Sequence, residues 1–243
     1  MFDHVTIRVA DRQASERFYD TVLAVLGLER RSFDRGSEWG DFSVSDPSAE
    51  HPLTQRLHIG FRAASRELVD EFWNVGTRAG YADDGAPGPR RDYAPGYYGA
   101  FLRDPDGNSV EAVIHDEPRD ASIDHLWIRV SDLQGSERFY ETIAPWAGYR
   151  ANGRHKFGAG FAGPNGSFSV IPSQPPTEHV HLAFPATSNE IVDAFHAGAL
   201  AAGYRDNGAP GERPEYHRGY YGAFVLDPDG NNVEVVNHNR PEA

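Results

Sequence analysis

Two imidazoles and one carboxylate recur at matched places in this chain: His4, His58 and Glu111, then His125, His181 and Glu234. Such nitrogen and oxygen donors suit Fe, Mn, Zn, Ni or Co, and three of them leave coordination positions open. Open positions are what a catalytic ion needs and a structural one lacks. For any one of these residues the plain alternative is a solvated side chain on a strand face. Their joint recurrence is the stronger signal, because residues 30–50 and 150–175 of the two copies barely match. His115 and His238 also correspond, and share strand parity with Glu111 and Glu234. They are either neighbours of the site or exposed strand ends. His51, His155 and His196 carry no argument.

The elements that must position these residues follow from periodicity. Residues 3–10 alternate, with Val5, Ile7 and Val9 on one face and His4, Thr6 and Arg8 on the other, which is a strand period. The second copy sets Leu126, Ile128 and Val130 against His125, Trp127 and Arg129. Residues 12–26 switch to helical spacing through Phe18, Val22, Val25 and Leu26, with Asp11 as N-cap and Gly27 as stop. Residues 30–50 read as short strands and turns. Residues 56–61 form a strand with His58 on its polar face, and 65–79 a second helix. Residues 96–102 and 109–115 are strands joined through the Asp106-Gly107 turn. Each copy thus holds the strand–helix–strands unit twice. The expectation is an α+β protein of four βαβββ modules, with domains at 1–116 and 123–243 and a linker at 117–122.

Composition narrows the function. A net charge of −13 with a single lysine, Lys156, and no basic run opposes nucleic-acid binding. Cysteine is absent, so thiolate metal sites and disulfides are excluded. Apolar runs are too short to span a membrane, and no signal peptide is visible, so the default location is cytoplasmic. The expected partner is a small-molecule substrate, bound by a monomer or homodimer.

The segments His4…Arg8-Val9…Ser15…Arg17-Phe18-Tyr19 and Asp104-Pro105-Asp106-Gly107-Asn108…Glu111, each with its copy, resemble the vicinal oxygen chelate superfamily. This family includes glyoxalase I, extradiol dioxygenases, fosfomycin-resistance transferases and bleomycin-resistance proteins. The resemblance covers nearly the whole chain. It implies paired modules forming incomplete, cupped barrels around a divalent metal held by His4, His58, Glu111, His125, His181 and Glu234. A substrate would chelate that metal through two adjacent oxygens.

Three comparisons bear on the reaction. Glyoxalase I takes a fourth carboxylate ligand from a middle strand. The matching stretches 41–44 and 167–170 offer only Asp41, with Glu38 near it. The extradiol signature is similar to His217…Phe224…Asp227-Pro228…Gly230…Glu234, but Phe224 and Phe101 replace its usual Tyr. The resemblance makes His217, matched by Ala94 in the first copy, a candidate acid or base, with the second copy favoured for chemistry. Tyr220 is a further catalytic candidate, and Tyr97, Phe101, Arg129 and Phe224 are expected to line the pocket. A fosfomycin-type anion pocket is not evident.

The reading is a metal-dependent enzyme with glyoxalase-like isomerase or lyase chemistry, or extradiol-like dioxygenase chemistry. The alternative is a non-catalytic, drug-sequestering protein of the bleomycin-resistance type. The modules could pair within each copy, or crosswise to join His4 to His181 and Glu234, and His125 to His58 and Glu111.

Overall fold

The computed structural model describes residues 1–116 and 120–239, so the expected linker at 117–122 lies partly outside the described residues. The first module is β1 (His4–Arg8), α1 (Arg12–Leu23), β2 (Arg31–Phe33), β3 (Gly36–Trp39) and β4 (Phe42–Ser45). The second is β5 (His58–Arg62), α2 (Arg66–Arg78), β6 (Asp83–Pro89), β7 (Tyr98–Arg103) and β8 (Ser109–Ile114). The third is β9 (Ile123–Val130), α3 (Leu133–Ala147), β10 (Arg150–His155), β11 (Gly158–Gly163) and β12 (Gly166–Pro172). The fourth is β13 (His181–Pro185), α4 (Asn189–Ala201), β14 (Arg205–Glu212), β15 (Tyr221–Leu226) and β16 (Asn232–Asn237).

Local chemistry sets these boundaries. Asp11 accepts from the Ala14 amide and Ser65 from Leu68, capping α1 and α2. A 3-10 turn extends α1, and Gly27 ends it at φ 79°, a left-handed position suited to glycine. The apolar stripe of α1 buries Phe18, Tyr19, Val22 and Leu23.

Among the described residues the strands form two eight-stranded sheets, ordered β14-β15-β16-β13-β1-β4-β3-β2 and β10-β11-β12-β9-β5-β8-β7-β6. Neither closes on itself. Both are mixed, since β1 runs parallel to β4 and antiparallel to β13. The architecture is the expected α+β arrangement of four βαβββ modules. The sheets, however, do not follow the sequence copies. Each joins one module from the first copy to one from the second, through β1 with β13 and β5 with β9. Helices keep the within-copy association, α1 on α2 and α3 on α4. One hydrophobic cluster draws on both copies, so each copy contributes to both sheets and to a shared core.

The Asp-Pro-Asp-Gly-Asn turns fix where the glutamate strands begin. Asp104 accepts from the Asn108 amide (2.8 Å), the Asn108 side chain (3.0 Å) and the Tyr19 hydroxyl (2.9 Å). Asn108 in turn accepts from the Leu57 amide at 3.0 Å, which pins the start of β5 to the start of β8. Asp227, Asn231 and Val180 repeat the arrangement. These buried bonds set the register that places His58 beside Ser109. No helix among the described residues is long and apolar enough to cross a membrane.

Candidate metal centres

Two side-chain rows cross the central strands of each sheet. In one sheet His125, Gly60, Glu111 and Phe101 stand opposite one another on β9, β5, β8 and β7. The adjacent row is Trp127, His58, Ser109 and Arg103. The other sheet repeats this with His4, Ala183, Glu234 and Phe224, then Thr6, His181, Asn232 and Leu226. In each sheet the row that holds the glutamate takes its histidine from one copy and its glutamate from the other.

The six expected ligands gather as His58–Glu111–His125 and His4–His181–Glu234, the crossed alternative. In the first cluster Glu111 Oε2 lies 3.1 Å from His58 Nε2 and 3.3 Å from His125 Nε2, and the two nitrogens are 3.1 Å apart. Three donors set cis around an ion with bonds of about 2.1 Å are about 3 Å apart, so this triangle fits a facial site. In the second cluster Glu234 Oε2 is 2.8 Å from His181 Nε2 and 3.8 Å from His4 Nε2. Both glutamates are fully buried, a position that demands a compensating cation or donor. Tyr97 donates to Glu111 Oε1 at 2.8 Å, and Tyr220 to Glu234 Oε1 at 2.6 Å. One carboxylate oxygen is thereby committed and the other faces the histidines. Burial and the neighbouring glutamate hold both tyrosine hydroxyls well above their usual range, hence protonated.

Carboxylates orient the first-strand histidines. Asp124 Oδ1 meets His125 Nδ1 at 2.9 Å and Asp3 Oδ1 meets His4 Nδ1 at 2.8 Å. A carboxylate only accepts, so each Nδ1 carries hydrogen and each Nε2 faces the cluster. His115 and His238 bond the remaining oxygens of Asp124 and Asp3, both at 2.8 Å. They are neighbours of the site rather than exposed strand ends. Burial works against charge on His125, but Asp124 and Glu111 outweigh it and push its pKa up to about 9. Protonated His125 shares its Nε2 hydrogen between Glu111 and His58, a proton standing where a metal ion would sit.

That proton makes a stability prediction. The folded pKa lies above the unfolded value of about 6.5. The contribution is therefore full below about pH 6.5 and lost as pH rises through about 9. Chelator-treated protein should lose up to about 3 kcal/mol of unfolding free energy across that window. Urea titrations at the two ends check it, and a flat profile would contradict the assignment.

A cavity of about 520 Å³ opens onto His58, lined by Trp127, Phe101, Arg90, Arg129, Tyr93 and Asp84 among others. Phe101 and Arg129 line this cavity, and Tyr97 lies behind the cluster against Glu111. Phe224 packs on His181 with ring centroids 6.0 Å apart. Tyr220 bonds Glu234 of the His4–His181–Glu234 cluster, and His217 lies near that cluster, beside Tyr220. His217 bonds His238 at 2.8 Å, so it connects to His4 only through His238 and Asp3. His217 therefore stands near one cluster, and this cavity opens on the other. Asp41, the possible fourth ligand, instead accepts from the Ile123 amide at 3.1 Å, and Glu38 pairs with Arg31. Serines stand on the middle strands at the matched places Ser43 beside Thr6 and Ser169 beside Trp127, and Ser167, which matches Asp41, lies beside His125.

The sequence reading assigns no role to Asp3, Asp124, Asp84, Ser109 or Gly60. The first two had a signal, since the Asp-His doublet recurs at both first strands. Gly60 had none, because its copy is Ala183.

Among curated proteins none matches the chain. Glyoxalase I from Zea mays superposes with a TM-score of 0.69 at 16% identity, covering 98% of this chain and 92% of that one. A candidate dioxygenase from Bacillus subtilis gives 0.67 at 13% identity, covering 98% and 85%. A glyoxalase/bleomycin resistance protein from Albidiferax ferrireducens is 31% identical, covering 49% of this chain and 98% of its own, with a TM-score of 0.42. The family model of the Glyoxalase/Bleomycin resistance protein/Dioxygenase superfamily matches residues 1–112 and 122–235, and the chain belongs to that superfamily.

Proposed function

We propose that this protein is a metal-dependent enzyme acting on a small anionic substrate that chelates the ion through two adjacent oxygens. The carrying observation is the triangle of His58, Glu111 and His125 donors, 3.1 to 3.3 Å on a side, beside a cavity of about 520 Å³. When bound, Fe, Mn, Zn, Ni or Co would act as a Lewis acid on the substrate oxygens. The chain's own residues do the rest. Trp127 and Phe101 flank His58 at ring distances of 5.5 and 5.8 Å and confine the substrate. Arg129 and Arg90, on the cavity wall, attract its negative charge. Tyr97 keeps Glu111 turned toward the histidines. At the second cluster His217, half-buried, carries protons along His238 and Asp3, and Tyr220 holds Glu234.

Two reaction types share this frame. Two histidines, one glutamate and serines in place of a fourth carboxylate favour extradiol-like oxygenation. The His217–His238–Asp3 chain favours proton transfer, and with it glyoxalase-like isomerase or lyase chemistry. Protein purified without a tag and reloaded with each metal should bind the metal in stoichiometric amount. It should then either consume oxygen with catechols or convert methylglyoxal–thiol adducts. Failure to retain any of the five metals would overturn the proposal in favour of a metal-free binding protein.

A further inference from the structure

The two clusters hold their second histidine differently. Ser109 Oγ lies 2.7 Å from Asp84 Oδ2 and 3.1 Å from His58 Nδ1. Arg103 pairs with the other Asp84 oxygen at 2.6 Å. A carboxylate accepts only, so the single Ser109 hydrogen goes to Asp84. What Ser109 then offers His58 is a lone pair. His58 Nδ1 must carry hydrogen, and Nε2 presents its lone pair to the cluster.

The matched place in the other sheet lacks this device. Asn232 stands beside His181, bonded to Asn207 at 2.9 Å, and Leu226 replaces Arg103. Among the described residues His181 Nδ1 makes no hydrogen bond, while His181 Nε2 bonds Glu234 Oε2 at 2.8 Å. His58 Nε2 lies at a comparable 3.1 Å from Glu111 Oε2, so the difference is on the Nδ1 side. Ser109 fixes hydrogen on His58 Nδ1, whereas nothing among the described residues opposes the His181 tautomer that donates from Nε2 and cannot ligate a metal.

We propose that Asp84, acting through Ser109, is a positioning residue that locks His58 in its metal-binding tautomer, and that the His58–Glu111–His125 site is consequently the tighter of the two. The inference rests on the metal reading above. Outer partners of ligating histidines typically change metal affinity 10- to 100-fold, so a difference of that order is expected between the sites.

Cobalt(II) is the probe, titrated into metal-free full-length protein and followed by calorimetry and by its visible absorption. The expected result is two binding events about 10- to 100-fold apart in affinity, the tight one absent in Glu111→Gln and the weak one absent in Glu234→Gln. Ser109→Ala should weaken only the tight event, by about 10- to 100-fold, while Ser109→Thr, which keeps the hydroxyl, restores it. The gain-of-function variant Asn207→Asp/Asn232→Ser should tighten the weak event, an outcome that damage to the fold cannot mimic. Two events of equal affinity, or no tightening in the double variant, would overturn this inference and leave the metal reading intact. No cobalt uptake at either site would overturn both.

Discussion

Replacing Glu111 with Gln should halve the bound transition metal, from about two ions per chain to about one. The side chain is fully buried. Its Oε2 is the vertex shared by His58 at 3.1 Å and His125 at 3.3 Å. Gln keeps the oxygen that accepts from Tyr97, so the amide nitrogen must take the other place. That puts two N–H donors where a cation would sit, and removes the negative charge that offsets it. Glu234→Gln should do the same at the second site, where Tyr220 bonds the opposite oxygen at 2.6 Å. The double variant should retain none. A ligand at a thousand times its dissociation constant stabilises the fold by about 4 kcal/mol. Glu111→Gln should therefore lose about that much metal-linked stabilisation, read as the difference between melting with metal and melting with chelator. Elemental analysis after removal of loosely held metal checks the stoichiometry. Full occupancy in the single variant would mean that Glu111 is not a ligand.

Much of this arrangement was legible because alternation is a local property. Val5, Ile7 and Val9 are fully buried, and the opposite face carries His4 and Arg8 as the period required. The duplicated turns announced the strands that bear Glu111 and Glu234, since Asp104 closes its turn through bonds from Asn108 four residues on, while the Asn108–Leu57 bond that sets the register spans 51 residues. Which modules share a sheet was not legible. The β1–β13 and β5–β9 pairings are non-local, and either grouping satisfies the same alternation. The backing groups of His58 were hidden for a related reason. Asp84 lies on a Gly- and Pro-rich strand of weak periodicity, Asp83–Pro89, and reaches Ser109 only once β6, β7 and β8 lie side by side. His196 shows the same limit in a helix. A lone histidine between Phe195 and Ala197 suggests the surface, yet it is 9% exposed and bonds Asp206 at 2.9 Å, because α4 packs down on β14.

Gly60→Ala should separate metal affinity from stability at the same site. Gly60 sits on β5 between His125 and Glu111, at the floor of the triangle. A Cβ there would lie 2.4 Å from His125 Cε1 and 2.6 Å from Nδ1, so the imidazole must move. The backbone makes no objection, because Gly60 is not among the residues at positive φ. A glycine in a strand interior already costs about 0.5–1 kcal/mol relative to alanine. The other sheet shows where the ring would go. Ala183 occupies the matched place opposite His4, and His4 Nε2 stands 3.8 Å from its glutamate where His125 stands 3.3 Å away. Alanine at position 60 should thus carry the looser geometry of the second site into the first. The expected loss is about 10- to 100-fold in metal affinity, on the scale of a disturbed outer partner. The melting temperature of chelated protein should change by no more than a few degrees, since about 1 kcal/mol shifts a domain of this size by about 2–4 °C. The reciprocal Ala183→Gly should let His4 close on Glu234 and tighten the second site. Unchanged affinity in Gly60→Ala would show that the imidazole finds its position without the space glycine provides. A collapse in stability would show instead that the floor of the triangle belongs to the core and not to the site.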